Sequence, residues 1–191
     1  MRLSTLTFGA LALTLAGCVS VLPEPQSPDA LYRIEAASTP RSVDATVIIR
    51  EPEAPQIMSG RAMMREDSSG AIRLIPSVEW AGRSTRLMQL ALVESFVGEA
   101  GGAVLPESGV QAAYELSTLL STFGFQGNTA VCEGTVSLVD LKTRSILRQD
   151  RVNARIGDNG SGLAPTLKDA SEACVEQIAD FVETTMAKAG S

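Results

Sequence analysis

Three long segments in succession constrain the fold most: YELSTLLSTFGF (114–125), AVCEGTVSLVDL (130–141) and RSILRQDRVNARI (144–156). Each is free of proline and rich in residues that favour extended backbone. The connections are short, and the one at Asp140–Thr143 carries turn chemistry. Short connections join antiparallel neighbours, whereas parallel neighbours need a crossover. The chain is therefore committed to an antiparallel sheet with one face that must be covered.

The remaining segments supply more strands and the cover. LYRIEA (31–36) alternates as a half-buried strand does, and DATVIIRE (44–51) is a β-branched run suited to a deeper one. GRAMMRE (60–66) and GAIRLI (70–75) flank Asp67-Ser68-Ser69, a hairpin pattern, and a short strand is expected around 103–106. A helix is predicted from Gly82 to Glu99, stopped by Gly101-Gly102. It is apolar on two sides, with Leu87, Leu90 and Ala91 on one and Met88, Leu92 and Phe96 on the other. The last helix begins near Pro165, which suits a first turn, or at a capping box of Thr166 with Asp169. Along it Leu167, Cys174, Ile178, Phe181 and Thr185 form one apolar seam. The expected class is α+β: an antiparallel or mixed sheet with two helices packed on one face, a two-layer sandwich.

The amino terminus poses a separate question. In LTLAGCVS (13–20) a run of Leu, Ala and Thr ends in two small residues and a cysteine. Met1-Arg2 makes a short basic start, and the apolar run from Leu6 to Ala16 is too short for a bilayer span, which needs ~20 residues. Its length and flanks are those of a secretory signal. Leu15-Ala16-Gly17-Cys18 resembles the lipobox of bacterial lipoproteins, in which the cysteine thiol receives a diacylglycerol and the signal is cut before it. The expected organisation is a signal peptide at 1–17, lipidated Cys18 with a Pro-rich tether at 18–29, and a single domain at 30–188. Pro23, Pro25 and Pro28 make the tether an extended spacer.

Composition excludes several function classes. Asp and Glu number 22 against 16 Lys and Arg, which gives a formal charge of −6 and no basic face for nucleic acid. There is no histidine, so triads built on Ser-His or Cys-His cannot form. Of three cysteines, Cys132 and Cys174 remain once Cys18 is assigned to lipid. An oxidising compartment permits a bridge between them, worth about 4 kcal/mol in the chain-entropy model. Two buried thiols that never meet are the equal alternative. Two thiols without histidine do not complete a tetrahedral metal set.

No catalytic, cofactor or metal site is expected. GDNGSG (157–162) lacks the spacing of a phosphate loop and the acidic ligands of a calcium loop. Glu51, Glu53, Glu66 and Asp67 sit in turn-like surroundings, and Ser95, Ser108 and Ser121 lack a nucleophile-elbow context. Trp80 is either a core anchor or an interface anchor. Met63 and Met64, with Met58, are either ordinary packing or an adaptable partner surface.

Taken in order, the lipobox, the Pro-rich spacer, LYRIEA, VIIREPEAPQIMSGRAMMR, VEWAGRSTRLMQLALVESF and the late strand–DLKT–strand hairpin resemble the ABC-type transport auxiliary lipoprotein family, the PqiC-like envelope lipoproteins. The resemblance runs from about 18 to 187, and Trp80-Ala81 and the Asp140–Thr143 turn are its most specific parts. It implies a non-enzymatic lipoprotein that partners an MCE-domain protein and an ABC permease and ATPase in moving phospholipid or a sterol-like lipid. It also implies a lipid anchor in the inner leaflet of the outer membrane, with the domain in the periplasm; Val19 after the cysteine fits that sorting. A stand-alone lipid-binding module and a structural envelope lipoprotein are the alternatives, and self-association into a homo-oligomer is left open.

Overall fold

The structure, a computed structural model, describes residues 27–99 and 101–189. The expected signal, Cys18 and most of the tether lie outside the described residues. The chain runs through β1 (Ala30–Tyr32), β2 (Arg41–Ser42), β3 (Thr46–Ile49), β4 (Ala62–Glu66), β5 (Ile72–Trp80) and α1 (Ser84–Glu94). It continues through β6 (Phe96–Val97), β7 (Gly102–Val104), a turn of 3-10 helix at Pro106–Ser108, β8 (Tyr114–Gln126), β9 (Thr129–Asp140), β10 (Ser145–Gly157) and α2 (Leu163–Ala189).

The three long segments are the spine. β8 and β9 pair antiparallel from Tyr114↔Asp140 to Gln126↔Thr129, and β10 pairs with β9 from Ser145↔Asp140 to Gly157↔Thr129. Asp140 makes the second turn, its Oδ1 accepting the N–H groups of Lys142 at 2.7 Å and Thr143 at 2.9 Å. On its other side β8 takes parallel partners, β3 at its start and β4 at its end. β4 and β5 form the expected hairpin, β1 adds parallel to β5, and β7 adds parallel to β3. The sheet is therefore mixed and eight-stranded, and β2 with β6 forms a separate parallel pair.

α1 and α2 pack side by side on one face of the sheet. The α2 seam reads as its periodicity requires: Leu167, Cys174, Ile178, Phe181 and Thr185 are all buried. Burying one such aliphatic side chain contributes roughly 1.5–3 kcal/mol. α1 turns in Thr85, Met88, Gln89, Ala91 and Leu92. Its one buried amide is satisfied, because Gln89 donates to the Ile49 carbonyl at 2.8 Å and accepts from Arg86 at 2.6 Å.

Three expectations need correction. α1 ends at Glu94, not Glu99. The Ser95 hydroxyl back-bonds to the Ala91 carbonyl, and the Ser95 and Val97 carbonyls accept from Arg41 and Val43, which pulls Phe96–Val97 into β6. Gly102 opens β7 instead of ending the helix. α2 starts at Leu163 with Pro165 in its first turn, as one of the two alternatives required; the capping box is the one that fails, because the Thr166 hydroxyl donates to the Gly162 carbonyl. The strand expected over 31–36 stops at Tyr32, because Ile34 onward leaves the sheet for the helix layer.

Candidate functional site

Alternation along the spine sends Leu116, Thr118 and Leu120 toward the helices, with Val136 and Leu138 opposite them. It leaves Ser117, Leu119, Thr135, Ser137, Gln149 and Arg151 on the face no helix covers. These residues, with Glu53, line an open basin of about 650 Å³. Gln149 donates to Ser137 Oγ at 3.0 Å, and higher on the same face Arg155 bridges Glu133 at 2.7 Å and Gln126 at 3.1 Å. Hydroxyl and amide groups dominate, and the acidic residues Glu53 and Asp150 share the lining with Arg151. Such a surface offers hydrogen bonds to a partner.

A second feature lies where the chain enters the sheet. The Asp29 N–H donates to the Ser77 carbonyl at 2.7 Å, and Ala30 then pairs with Val78. Ser77 holds φ at 62°, a left-handed value that costs a non-glycine residue roughly 1 kcal/mol or more. The Pro76-Ser77 bulge thereby presents the carbonyl that pins the incoming chain. Ser27, Pro28, Leu74, Pro76 and Val78 line a groove of about 220 Å³ there. Around it Leu31, Ile72 and Leu74 are exposed at 53, 44 and 61%.

Past β1, residues 33–43 form a strap across the helix layer. Its backbone N–H groups find acceptors on side chains of α2 and of the α1 end: Glu35 on Glu172 at 3.2 Å, Ala37 on Ser95 Oγ at 2.8 Å, Ser38 on Glu176 at 2.5 Å and Ser42 on Glu183 at 3.2 Å. Arg41 fills the space between, 2.7 Å from both Glu176 and Asp180. Partial burial opposes ionisation of Glu176, yet hydrogen bonds from Ser38 and the charge of Arg41 hold its carboxyl below the usual range. The Asp180 hydrogen bond leads in raising the Arg41 guanidinium.

The residues singled out from the sequence are distributed as follows. Cys132 on β9 and Cys174 on α2 are joined as a disulfide, with Cα atoms 6.1 Å apart. Trp80, Met63 and Met64 are not a partner surface. They are 1, 1 and 4% exposed, because each fills core or inter-strand space. Trp80 stacks on Phe123 with ring centroids 5.7 Å apart, and Met64 lies over Gly124, where a Cβ would stand 2.8 Å from its side chain. Glu51 holds Arg83 and Thr85. Asp67 serves its own turn, accepting from Ser69, Ala71 and Arg73; the Ser69 bonds chiefly hold its carboxyl well below the ordinary range. Asp158 likewise accepts from Gly160 within the glycine-rich loop. Among the described residues no group of three or more Cys, Asp or Glu could hold a metal ion, and no helix is long and apolar enough to cross a membrane.

The strap's partners and the entry groove were missed in the sequence. IRLIP (72–76) did carry a readable signal, since Ile72 and Leu74 alternate with Arg73 on a strand that no later segment covers.

A family model described as an ABC-type transport auxiliary lipoprotein component matches residues 30–179. Among solved structures, a Xanthomonas campestris protein of the family DUF330 superposes with a TM-score of 0.69 at 11% identity, covering 86% of this chain and 97% of that one. An uncharacterized protein superposes with a TM-score of 0.59 at 10% identity, covering 79% of this chain and 98% of that one. A PelC dodecamer from Paraburkholderia phytofirmans is more distant, with a TM-score of 0.46 at 11% identity, covering 81% and 94%. Likeness at these identities extends to the fold. Among curated proteins nothing matches the chain.

Proposed function

The chain belongs to the family of ABC-type transport auxiliary lipoprotein components, and from that membership we propose that it works as a non-enzymatic tether. Held by acylated Cys18 in the inner leaflet of the outer membrane, its domain docks an MCE-domain protein, and through it an ABC permease and ATPase, during lipid transport. The observation that carries the reading is the family match, which begins at Ala30, where the sheet begins. The Pro-rich stretch before it is then left as linker. Two or more acyl chains give stable anchoring where one gives marginal binding. Confinement to the membrane plane raises the domain's effective concentration for a partner that reaches the same plane.

The layout of the domain is compatible with this division of labour. The chain enters at the β1–β5 edge, and the hydroxyl-rich face of β8, β9 and β10 is free of helices. The alternative of a stand-alone lipid carrier gains no support from the helix–sheet interface, where Met88, Leu92, Trp80 and Ile178 fill the space a lipid would need.

The test is mild in vivo crosslinking of the tagged, lipidated protein in its native host. Recovery of an MCE-domain protein or an ABC component is expected. Recovery of neither, with the bait intact and membrane-bound, sinks the proposal.

A further inference from the structure

We propose that the β1–β5 edge is itself a membrane-contacting surface: Leu31, Ile72 and Leu74 rest in the interfacial layer of the bilayer that holds the anchor. The inference rests on the reading of Cys18 as the lipidated residue.

Three observations meet at this edge. The side chains are apolar and exposed, and strand register sets all three on the uncovered side: Ile72 and Leu74 alternate on β5, and Leu31, beside Glu79, lies farther along the same edge. Ser27 and Pro28 line the same groove as Leu74 and Pro76, and the Asp29–Ser77 hydrogen bond fixes the chain there. The segment running toward Cys18 thus starts at this patch and nowhere else on the domain. Only residues 19–26 separate Ser27 from the acylated cysteine, a stretch that reaches at most ~28 Å when fully extended.

Charge points the same way. The protein as a whole is acidic, with a formal charge of −6, and an unscreened acidic surface is repelled by anionic lipid. Here the charges balance by count: Glu79 pairs with Arg61 at 3.2 Å and Asp67 with Arg73 at 3.1 Å, and Glu66, the cross-strand partner of Ile72, is offset by its neighbour Arg65. Asp29 and Arg33, on either side of β1, are of opposite sign. The edge is therefore locally neutral and apolar where the rest of the molecule is acidic. A patch this small holds no free protein on a membrane. Next to an acyl anchor it needs only to orient a domain that is already there.

The experiment uses the full-length lipidated protein in vesicles of phosphatidylethanolamine and phosphatidylglycerol. Leu74→Cys carries an environment-sensitive dye; the control is Val110→Cys, exposed beyond β7 at the opposite edge of the sheet. A shallow nitroxide lipid is expected to quench the dye at 74 by roughly twofold or more relative to 110, and adding Ile72→Lys to bring that ratio back toward one. Equal quenching at both sites overturns the proposal, and so does a ratio that Ile72→Lys leaves unchanged. A dye shielded equally with and without the quencher lipid also overturns it, because a protein segment then covers the edge. Protein that fails to sediment with the vesicles sinks the Cys18 reading and this proposal together. Protein that sediments without preferential quenching sinks the contact alone.

Discussion

Gly134 shows how much one missing side chain can decide. It lies on the helix-facing side of β9 opposite Leu120, beside the irregularity where β8 slips register between Leu120 and Thr122. A Cβ at 134 would overlap the Leu119 carbonyl oxygen and stand 3.1 Å from Leu120 Cα, both rigid backbone. Gly134→Ala should therefore lower stability by about 1–3 kcal/mol, the usual cost of overpacking. A shift of the urea midpoint at constant slope would report it, and an unchanged midpoint would mean that the two strands do not approach this closely. Trp80 teaches the converse lesson. A lone tryptophan reads as core or as interface, and its burial and its stacking on Phe123 assign it to the core.

At the level of elements, α2 does two jobs. Its seam fills the core, and its outer carboxylates at 172, 176 and 183 satisfy backbone N–H groups of a strap whose short strand β2 pairs with β6 only at 41–42. Because Glu176 is held below its usual value, its contribution is present above the ordinary carboxylate range and is lost as the pH falls through the depressed value. Glu176→Gln keeps an acceptor for Ser38 but loses the charge facing Arg41. It should cost about 1 kcal/mol at pH 7, a charged hydrogen bond discounted for partial exposure, and less at pH 3. Thermal melts of both proteins across that range should converge toward the acid end; parallel curves would refute the assignment. The Cys132–Cys174 disulfide ties α2 to the central strand β9. Reduction should cost about 2–4 kcal/mol, or on the order of 5–15 °C in Tm for a domain of this size. An identical Tm with and without reductant would show that the bridge does not form in the mature protein.

For the whole molecule the proposed anchor matters most. Cys18→Ser removes the proposed acylation site and leaves every described contact untouched. The domain should keep its Tm while the protein moves from the membrane pellet to the soluble fraction. A variant that still pellets as firmly as the wild type would remove the basis of the tether model.

Some of this architecture was legible in the sequence because the interactions behind it are local. Turn chemistry and uninterrupted strand-forming runs placed β8, β9 and β10 to within a residue or so at each end, and the spacing from Leu167 to Thr185 named the buried side of α2. The lipobox-like Leu15-Ala16-Gly17-Cys18, the acidic balance and the absence of histidine likewise belong to the chain before it folds. Tertiary structure alone decided the rest: the parallel pairings of β1, β3 and β4, the early end of α1, the strap on α2, the burial of Met63, Met64 and Trp80, and the placing of Leu31, Ile72 and Leu74 along the edge where the chain enters. Each depends on partners tens of residues away, whose approach is paid for in loop-closure entropy and repaid only when the whole sheet assembles, so no window of sequence carries its signal.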